Sequence, residues 1–371
     1  MKITFYSNFL NHHQLPFCRA MQALTDNNFT FVAAEGIPED RVKLGYEDMN
    51  KKYDFVLTTY DSEENKEKAM KLAEESDAII HGSAPEAYIT RRLKLNKLTF
   101  RYSERIYKRG IWRVISPRGF KHMMRYHRNY RKEKLHMLCA SAYTAGDFAM
   151  LGSYKNKCYK WGYFPEVIEY DIEDLISKKS QDKIELLWVG RFIDWKHPEM
   201  AIEVADKLRN AGYDFQLNMV GTGELIDTMK ALVTSKKLDD NVKILGSMGY
   251  EKVREHMEKS NIFLFTSDYN EGWGAVLNEA MNSGCAIVAS HAIGATPFLL
   301  KNGKNGLIYK GTDVEDMYEK TLTYMKDKAL REKVGVAAYY TLKDTWNAQK
   351  AAEGFIHLVK QLTEESSEQG K

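Results

Sequence analysis

Apolar residues recur along the chain with two alternating periods, one typical of strands and one typical of helices. Short apolar runs predict buried strands at residues 3–6, 30–34, 78–81 and 135–141. Helical patterns lie between or after these runs, at residues 15–24, 63–74 and 144–151. This order predicts a parallel sheet that is covered by helices on both faces.

A polar segment separates this pattern from a second one. Residues 166–183 are rich in acids, lysine and serine and lack a clean apolar period, so a linker is predicted there. After it, strands are predicted at 184–189, 215–220, 242–245, 262–266 and 286–290, and helices at 197–211, 223–236, 251–259 and 274–283. A last amphipathic helix is predicted at 344–362. The 371 residues are therefore expected to form two α/β domains of about 150–200 residues each.

The composition narrows the class of protein. Hydrophobic residues make up 44% of the chain, which is enough for a packed core in each half. No apolar run approaches the roughly 18–20 residues that span a bilayer, and the first residues are typical of a strand, not of a signal peptide. The four cysteines, Cys18, Cys139, Cys158 and Cys285, have no metal-ligand spacing. We expect them to be reduced thiols in a cytoplasmic protein.

The net charge of +3 conceals a strongly basic segment at residues 91–134. That segment carries sixteen Lys or Arg against two acids, a net +14, which leaves −11 for the rest of the chain. Aromatic residues interleave the cations, a composition that suits an anionic membrane surface and single-stranded nucleic acid equally well. A solvated face is a third interpretation. The residues predicted for a membrane or other anionic surface are Arg101, Arg105, Lys108, Arg109, Trp112, Arg113, Arg125 and Arg128.

The most informative chemistry lies in the stretch from Glu271 to Glu279, which reads Glu-Gly-Trp-Gly-Ala-Val-Leu-Asn-Glu. Apolar runs flank it, so the order is strand, glycine loop, helix and strand, as in phosphate-binding crossovers. Carboxylates bind phosphate poorly but accept hydrogen bonds from hydroxyl groups. Two of them beside a helix N-terminus suggest a ligand that combines phosphate with sugar hydroxyls, although a helical glutamate alone is more often a solvated acid.

Three further loops follow strands of the second half. Arg191 and Lys196 lie five residues apart on one loop, where an arginine fork and a lysine point charge can converge on a diphosphate. Glycine turns follow at 221–223 and 246–248. Each loop alone also fits an ordinary turn. Their shared position at the carboxyl ends of strands favours a binding site.

In combination and in order, these motifs resemble the nucleotide-binding domain of the family 4 (group 1) retaining glycosyltransferases, most strongly over residues 184–310. The family pattern is Gly-Arg-x(4)-Lys, then Gly-x-Gly, then Glu-Gly-x-Gly-x(4)-Glu-Ala, then Asn-Gly-x-x-Gly-Leu. The chain carries these motifs at 190–196, 221–223, 271–280 and 302–307. The resemblance implies the GT-B fold, with two Rossmann-like parallel-sheet domains that face an interdomain cleft. Residues 1–168 would bind the acceptor and 169–345 the nucleotide sugar, with a terminal helix at 346–371 packed back on the first domain.

The resemblance also implies a role for each site residue. Arg191 and Lys196 would hold the donor diphosphate, Glu271 would accept hydrogen bonds from the transferred sugar, and Glu279 would bind the ribose. Backbone N–H groups near Trp273, Gly274 and Ala275 would face the sugar and phosphate. The other expected donor-binding residues are Gly190, Gly221, Gly223, Gly246, Met248 and Gly272. No convincing Asp-x-Asp loop is present, so no metal or other cofactor is expected, and a UDP-sugar is the favoured donor.

The first half resembles the family less closely. Many members carry a Gly-Gly loop after the first strand, where this chain has His12 and His13. These histidines could contact donor or acceptor, or be surface imidazoles. His81 ends a predicted strand, where the family often has a histidine near the transferred sugar, so His81 is a candidate catalytic residue.

The resulting expectation is a retaining hexosyltransferase that moves sugar from a nucleotide-diphosphate sugar to an acceptor hydroxyl, in cell-surface polysaccharide or glycolipid assembly. Its acceptor would be a glycan or lipid-linked sugar. The protein would be cytoplasmic and peripheral on the inner face of the cell membrane, with no nucleic-acid partner. Two alternatives remain: another GT-B enzyme such as a sugar-nucleotide epimerase, and a nucleic-acid-binding protein that uses residues 91–134.

Overall fold

The chain folds into two compact α/β units. The structure, a computed structural model, describes residues 1–39, 47–108, 110, 116–179 and 183–368. One unit comprises residues 1–166 together with 347–371, and the other comprises residues 167–346. Within these described ranges, no helix combines the length and the apolar character that crossing a membrane requires.

The first unit is built on a seven-stranded parallel sheet. Its strands are β1 (Ile3–Ser7), β2 (Phe29–Ala33), β3 (Val56–Thr58), β4 (Ala78–His81), β5 (Thr99–Ser103), β6 (Leu135–Cys139) and β7 (Cys158–Lys160). Its helices include α1 (Leu15–Leu24), α2 (Glu63–Glu75), α3 (Ala87–Lys94), α4 (Pro117–Tyr126) and α5 (Thr144–Ala149). The strand order is β3-β2-β1-β4-β5-β6-β7. The order reverses between β1 and β4, and such a switch point leaves a crevice at the carboxyl ends of the strands.

The second unit repeats this architecture with six strands. They are β8 (Ile184–Val189), β9 (Phe215–Val220), β10 (Val242–Gly246), β11 (Ile262–Phe265), β12 (Ala286–Ser290) and β13 (Leu307–Tyr309), in the order β10-β9-β8-β11-β12-β13. Its helices are α6 (Ile172–Lys178), α7 (Pro198–Asn210), α8 (Ile226–Ser235), α9 (Tyr250–Lys259), α10 (Val276–Asn282), α11 (Thr296–Leu299), α12 (Val314–Lys326) and α13 (Lys328–Tyr340). All its strand pairs are parallel, with the switch point between β8 and β11.

The last helix, α14 (Ala348–Glu368), returns to the first unit. The buried ring of Phe355 lies 5.0 Å from the ring of Phe100 on β5 and 6.0 Å from that of Trp161. A π-helical turn, Thr341–Thr345, precedes this helix.

The local sequence explains why these elements form where they do. Strands β11 and β12 are continuous apolar runs that are buried along their whole length, as parallel strands covered on both faces require. Several helices begin at a side chain that caps the first turn. Ser62 accepts a hydrogen bond from the backbone of Asn65 before α2, and Asp313 does the same for Asp316 before α12.

The expected fold class, two Rossmann-like parallel-sheet units, is confirmed, and the local differences include elements that were not predicted, such as β3, β7 and β13. Helix α10 begins at Val276, two residues later than predicted, because Gly274 has φ +91° and cannot be helical. Helix α6 forms inside the segment predicted as a linker, and its Ile172 and Ile176 pack against Tyr339. Strand β5 lies within the basic segment and was not predicted, because its few apolar residues are surrounded by cations.

Candidate functional site

The second unit brings its predicted donor-binding loops to one edge of the sheet. The loops after β8 and β9 are joined by a hydrogen bond from Gly190 N to Val220 O at 3.0 Å. The loops after β9 and β10 are joined from Gly221 N to Gly246 O at 2.8 Å. Because all these strands are parallel, their carboxyl ends share this edge, as the motif spacing predicts.

A lysine–glutamate ion pair lies at the centre of this edge. The Lys196 ammonium donates to Oε2 of Glu271, and the buried Ser267 hydroxyl donates to the same oxygen at 3.0 Å. The side chains of Lys196 and Glu271 are only 13% and 11% exposed. In this state the cation predicted for diphosphate and the carboxylate predicted for sugar hydroxyls neutralise each other.

Two neighbouring contacts fix the backbone of the cation loop. The Thr266 hydroxyl, held by the indole N–H of Trp188 at 2.8 Å, donates to the Lys196 carbonyl at 2.5 Å. The Asp268 N–H donates to the Trp195 carbonyl at 3.1 Å. The loop therefore carries Lys196 toward the end of β11, where Glu271 lies.

Arg191 is the exposed cation of this loop. Its guanidinium lies 5.8 Å from the Trp195 ring centre, and Lys196 Nζ lies 4.8 Å from the same ring. Among the residues that the structure describes, no acid forms an ion pair with Arg191. Its charge is available to an anionic ligand at this sheet edge.

The glycine turn between Glu271 and α10 presents backbone donors. Gly274 has φ +91°, and a Cβ there would lie 2.6 Å from the Phe265 ring, so only glycine fits. In the described part of the chain, the N–H groups of Gly272, Gly274 and Ala275 have no acceptor. The Trp273 side chain is turned away into the core, where its ring stacks 5.5 Å from that of Trp346. Trp273 can therefore face a ligand only with its backbone.

The glycines after β9 have a structural reason of their own. A Cβ on Gly221 would lie 1.8 Å from the Gly190 carbonyl oxygen, and one on Gly223 would lie 2.4 Å from that of Phe192. These positions are glycine because two loops interlock. Gly246, in contrast, has φ +75° with open space around its Cβ position, and Met248 beyond it is half-buried.

Glu279 lies on α10, and its carboxylate accepts no hydrogen bond from any described residue. Burial raises its pKa to about 7, and the charge of Arg254 opposes this rise. Arg254 itself donates to Asn282 Oδ1 at 3.1 Å and to the Tyr250 hydroxyl. Glu279 is thus a sheltered acceptor that titrates near neutral pH.

His81 is the last residue of β4, so it ends a strand as predicted. The ring is 2% exposed, its Nδ1 accepts from Arg101 Nη1 at 2.9 Å, and its Nε2 faces the Pro85 carbonyl at 3.4 Å. Burial, together with the charge of Arg101, lowers the pKa of His81 well below its usual value. Both ring nitrogens have partners within the first unit, and a catalytic role of His81 stays a prediction.

The loop with His12 and His13 borders a cavity of about 580 Å³ in the first unit. The cavity lies beyond β1, β4 and β5 and includes His13, Gln14, Glu104 and Tyr163 in its lining. His13 stacks on Tyr163 at 5.8 Å, and the rings of His12 and His13 are 3.7 Å apart. The cavity is polar and is suited to a hydroxyl-rich ligand.

The structure corrects part of the predicted anionic-surface set. Arg101 is 4% exposed and pairs bidentately with Glu86, Arg105 pairs with Asp147 at 3.2 Å, and Lys108 pairs with Glu104. Arg101 and Arg105 are largely buried in the first unit, whereas the Lys108 side chain is 36% exposed. The exposed members of the set are Arg125 and Arg128. The remaining three, Arg109, Trp112 and Arg113, lie outside the described residues.

Two residues that were not predicted, Ser267 and Glu104, also shape these sites. Ser267 lies four residues before Glu271 and directly follows the predicted strand at 262–266, so its hydroxyl could have been predicted to lie at the same sheet edge. Glu104 accepts from the Tyr163 hydroxyl at 2.7 Å and from Lys108. It went unnoticed because β5, whose end positions it, was not predicted.

The second unit is similar in sequence to known glycosyltransferases. Residues 171–341 match the sequence model of the family described as glycosyl transferases group 1. An uncharacterized glycosyltransferase of Methanocaldococcus jannaschii is 28% identical over 188 residues, which are 50% of this chain and 47% of that protein. The GPI3 subunit of Saccharomyces cerevisiae phosphatidylinositol N-acetylglucosaminyltransferase is 28% identical over 156 residues, 41% of this chain and 34% of that protein. The chain thus spans about half the length, or less, of these curated relatives.

Solved structures resemble the whole chain. The Anabaena protein HepE in complex with UDP matches with a TM-score of 0.66 and 16% identity, over 99% of this chain and 100% of that one. A glycosyltransferase from Rickettsia africae matches with a TM-score of 0.68 and 15% identity, over 98% of both chains. At these identities the likeness concerns the fold, and it confirms the GT-B class.

Proposed function

Because residues 171–341 match the sequence model of the group 1 glycosyl transferases, we propose that the protein is a retaining glycosyltransferase. It would move a hexosyl-type sugar from a nucleotide-diphosphate sugar to an acceptor hydroxyl. The observation that carries the proposal is the sheltered Lys196–Glu271 pair beside the exposed Arg191. Arg191 is available to bind a diphosphate. Lys196 would leave Glu271 to bind the diphosphate as well, and sugar hydroxyls would take its place on the carboxylate.

In the proposed mechanism, the donor diphosphate takes Lys196 from Glu271 and also binds Arg191. Glu271 then accepts hydrogen bonds from hydroxyls of the transferred sugar, and Glu279 accepts from the ribose. The bond between the anomeric carbon and the diphosphate oxygen breaks while the acceptor oxygen bonds to that carbon from the same face. The acceptor proton passes to the departing phosphate oxygen. Lys196, Arg191 and the N–H groups of the glycine turn stabilise the negative charge that develops there.

We favour a UDP-sugar as the donor. Support comes from the Anabaena neighbour, which was solved with UDP and with UDP-glucose. A thermal-shift screen against UDP-, GDP- and ADP-sugars tests this. A ligand at about 100 times its dissociation constant stabilises the folded state by about 2.7 kcal/mol. We expect that shift with UDP-sugars, and no shift with any nucleotide would overturn the donor site.

Matched variants separate the site from non-specific nucleotide binding. Arg191→Ala should lose most of the shift and leave the unliganded Tm unchanged, because this exposed side chain has no ion-pair partner among the described residues. Glu224→Gln, at an exposed acid beside the glycine turn of β9, should keep the whole shift. Equal shifts in both variants would contradict the placement of the diphosphate.

We further propose that transfer needs no divalent metal, since Arg191 and Lys196 can supply the positive charge at the leaving group. Transfer measured after EDTA treatment, with Mg²⁺ added back to one half of the sample, tests this. The proposal requires equal rates in the two halves.

We propose that the acceptor is a glycan or lipid-linked sugar of cell-surface assembly, and that it binds in the polar cavity of the first unit.

We also propose that the protein attaches to the inner face of the membrane. Support for this attachment comes from helix α4. This helix exposes Arg118, Lys121 and Arg125 around Phe120, whose side chain is 52% exposed. Cations that surround an exposed aromatic ring suit an anionic bilayer surface.

Co-sedimentation with anionic vesicles at low salt tests the attachment. The charge reversal Arg118→Glu, Lys121→Glu, Arg125→Glu should abolish binding. A matched reversal of three exposed lysines on α2, at Lys66, Lys68 and Lys71, should not, because acids of the same helix already pair with them. Binding to single-stranded nucleic acid in place of vesicles would favour the nucleic-acid alternative.

A further inference from the structure

We propose that Glu86, His122 and His127 of the first unit form a binding site for a transition-metal cation such as Zn²⁺. One carboxylate oxygen of Glu86 and one ring nitrogen of each histidine lie within 4.8 Å of one another. This site is separate from the residues proposed for sugar transfer, and the inference does not rest on that function.

The three side chains come from two helices of one unit. Glu86 directly precedes α3, His122 lies on α4, and His127 directly follows α4. Their burial is graded: the His127 residue is 8% exposed, the Glu86 side chain 19% and the His122 side chain 49%. The site is therefore fixed on its inner side and open to solvent at His122, where water can complete the coordination.

The neighbouring side chains orient the ligands. Nδ1 of His127 lies 2.6 Å from the Tyr154 hydroxyl, which leaves Nε2 as the nitrogen for a metal. Among the described residues Nε2 has no hydrogen-bond partner. With Nε2 bound to metal, Nδ1 carries the proton and its N–H donates a hydrogen bond to the Tyr154 oxygen. Arg101 holds Glu86 through both oxygens, at 2.9 and 2.7 Å. Metal-binding histidines and carboxylates typically have such partners.

The distances fit metal ligands better than hydrogen bonds. His122 Nε2 and Glu86 Oε1 are 3.9 Å apart, which is too long for a hydrogen bond. Two ligands at about 2.0–2.1 Å from a tetrahedral Zn²⁺ lie roughly 3.4 Å apart. A movement of about half an ångström by the exposed His122 side chain would reach that spacing. Two imidazoles and a carboxylate suit Zn²⁺, Co²⁺ or Ni²⁺, and not Mg²⁺ or Ca²⁺.

Charge sets the strength of the site. Arg101 already neutralises Glu86, so most of the affinity comes from the two imidazoles, and binding should be weaker than in closed four-ligand zinc sites. A bound cation would join the start of α3 to α4. It would thereby fasten the helix that carries the exposed cations Arg118, Lys121 and Arg125 to the rest of the first unit.

Metal binding by the full-length, tag-free protein tests the proposal. After treatment with EDTA and its removal, we expect one Zn²⁺ per chain by calorimetry, a higher Tm with ZnCl₂, and visible d–d absorption with Co²⁺ typical of histidine ligands. His122→Ala should weaken Zn²⁺ binding at least ~10-fold. Tyr154→Phe keeps the aromatic ring but removes the hydroxyl that orients His127, and it should weaken binding by about 10–100-fold. The control His357→Ala changes an exposed histidine of α14 in the same unit and should have no effect.

His122 is half exposed, so its variant should fold, and the Tm without metal checks this directly. Zn²⁺ binding of equal strength in wild type and His122→Ala would overturn the site, as would an absent Co²⁺ absorption in the wild type. The UDP-induced shift should be the same with and without Zn²⁺. A failed metal site and a failed donor site therefore give different results.

Discussion

Replacing Glu271 with Gln should separate nucleotide binding from sugar transfer. Glu271 accepts hydrogen bonds from Lys196 and Ser267, and the ion pair is about nine-tenths buried. Gln keeps the size of the side chain and one acceptor but removes the charge that neutralises Lys196. The variant therefore tests both halves of the proposed exchange, the release of the cation and the recognition of the sugar.

The magnitudes follow from this geometry. Removing one partner of a buried pair costs about 3–5 kcal/mol, and because Gln still accepts a hydrogen bond we expect a loss of about 1–3 kcal/mol in the unliganded protein. The carboxylate competes with diphosphate for Lys196, so UDP should bind the variant roughly 3–10-fold more tightly, about 0.7–1.4 kcal/mol. Losing a charge-assisted hydrogen bond to the sugar, about 1.5–3 kcal/mol, should lower kcat about 10–150-fold.

Three assays read these effects separately: urea denaturation for stability, calorimetry with UDP for affinity, and turnover of the UDP-sugar that gives the largest thermal shift. Glu224→Gln, an exposed acid near the same sheet edge, should leave all three unchanged. Weaker UDP binding together with unchanged stability would refute the reasoning, since it would mean that Glu271 neither restrains Lys196 nor opposes the diphosphate.

Two further predictions concern neighbouring residues. Gly221→Ala should lower the free energy of unfolding, measured in urea, by about 3 kcal/mol or more, because its Cβ would lie 1.8 Å from the Gly190 carbonyl oxygen. Gly246→Ala should lower it by only about 1–2 kcal/mol, because only the left-handed backbone opposes a side chain there. Equal losses in the two variants would contradict the interlocked loops. Burial raises the pKa of Glu279 to about 7 in the folded state, whereas the unfolded pKa is about 4.3. Between these two pH values the folded state holds a proton that the unfolded state has released. The free energy of unfolding therefore falls as pH rises through this range. Glu279→Gln should therefore gain up to about 3 kcal/mol over the wild type at pH above 7 and lose this advantage below about pH 4. UDP affinity should also rise more steeply through about pH 7 in the wild type than in Glu279→Gln.

The sequence predicted the second unit more completely than the first. Strands β11 and β12 are almost entirely apolar, β8, β9 and β10 are mainly apolar, and the loops carry glycine, cation and carboxylate motifs at fixed offsets from the strand ends. The first unit was harder, because β5 carries Arg101 among its apolar residues, so the strand and the ion pairs around it were hidden in the basic segment. The same strand explains why Arg101 and Arg105 face inward and why a charge count overstated the exposed basic surface.

What the sequence determines by itself is local: the period of each element, the glycines that allow a tight loop, and the offset of a polar residue from a strand end. These depend on neighbours a few residues apart. The tertiary structure alone decides that Lys196 neutralises Glu271, that His81 is occupied by Arg101, and that Glu86, His122 and His127 converge. Such contacts join residues that are far apart in the chain, and their partners are set by the order of strands in each sheet, which no local pattern encodes.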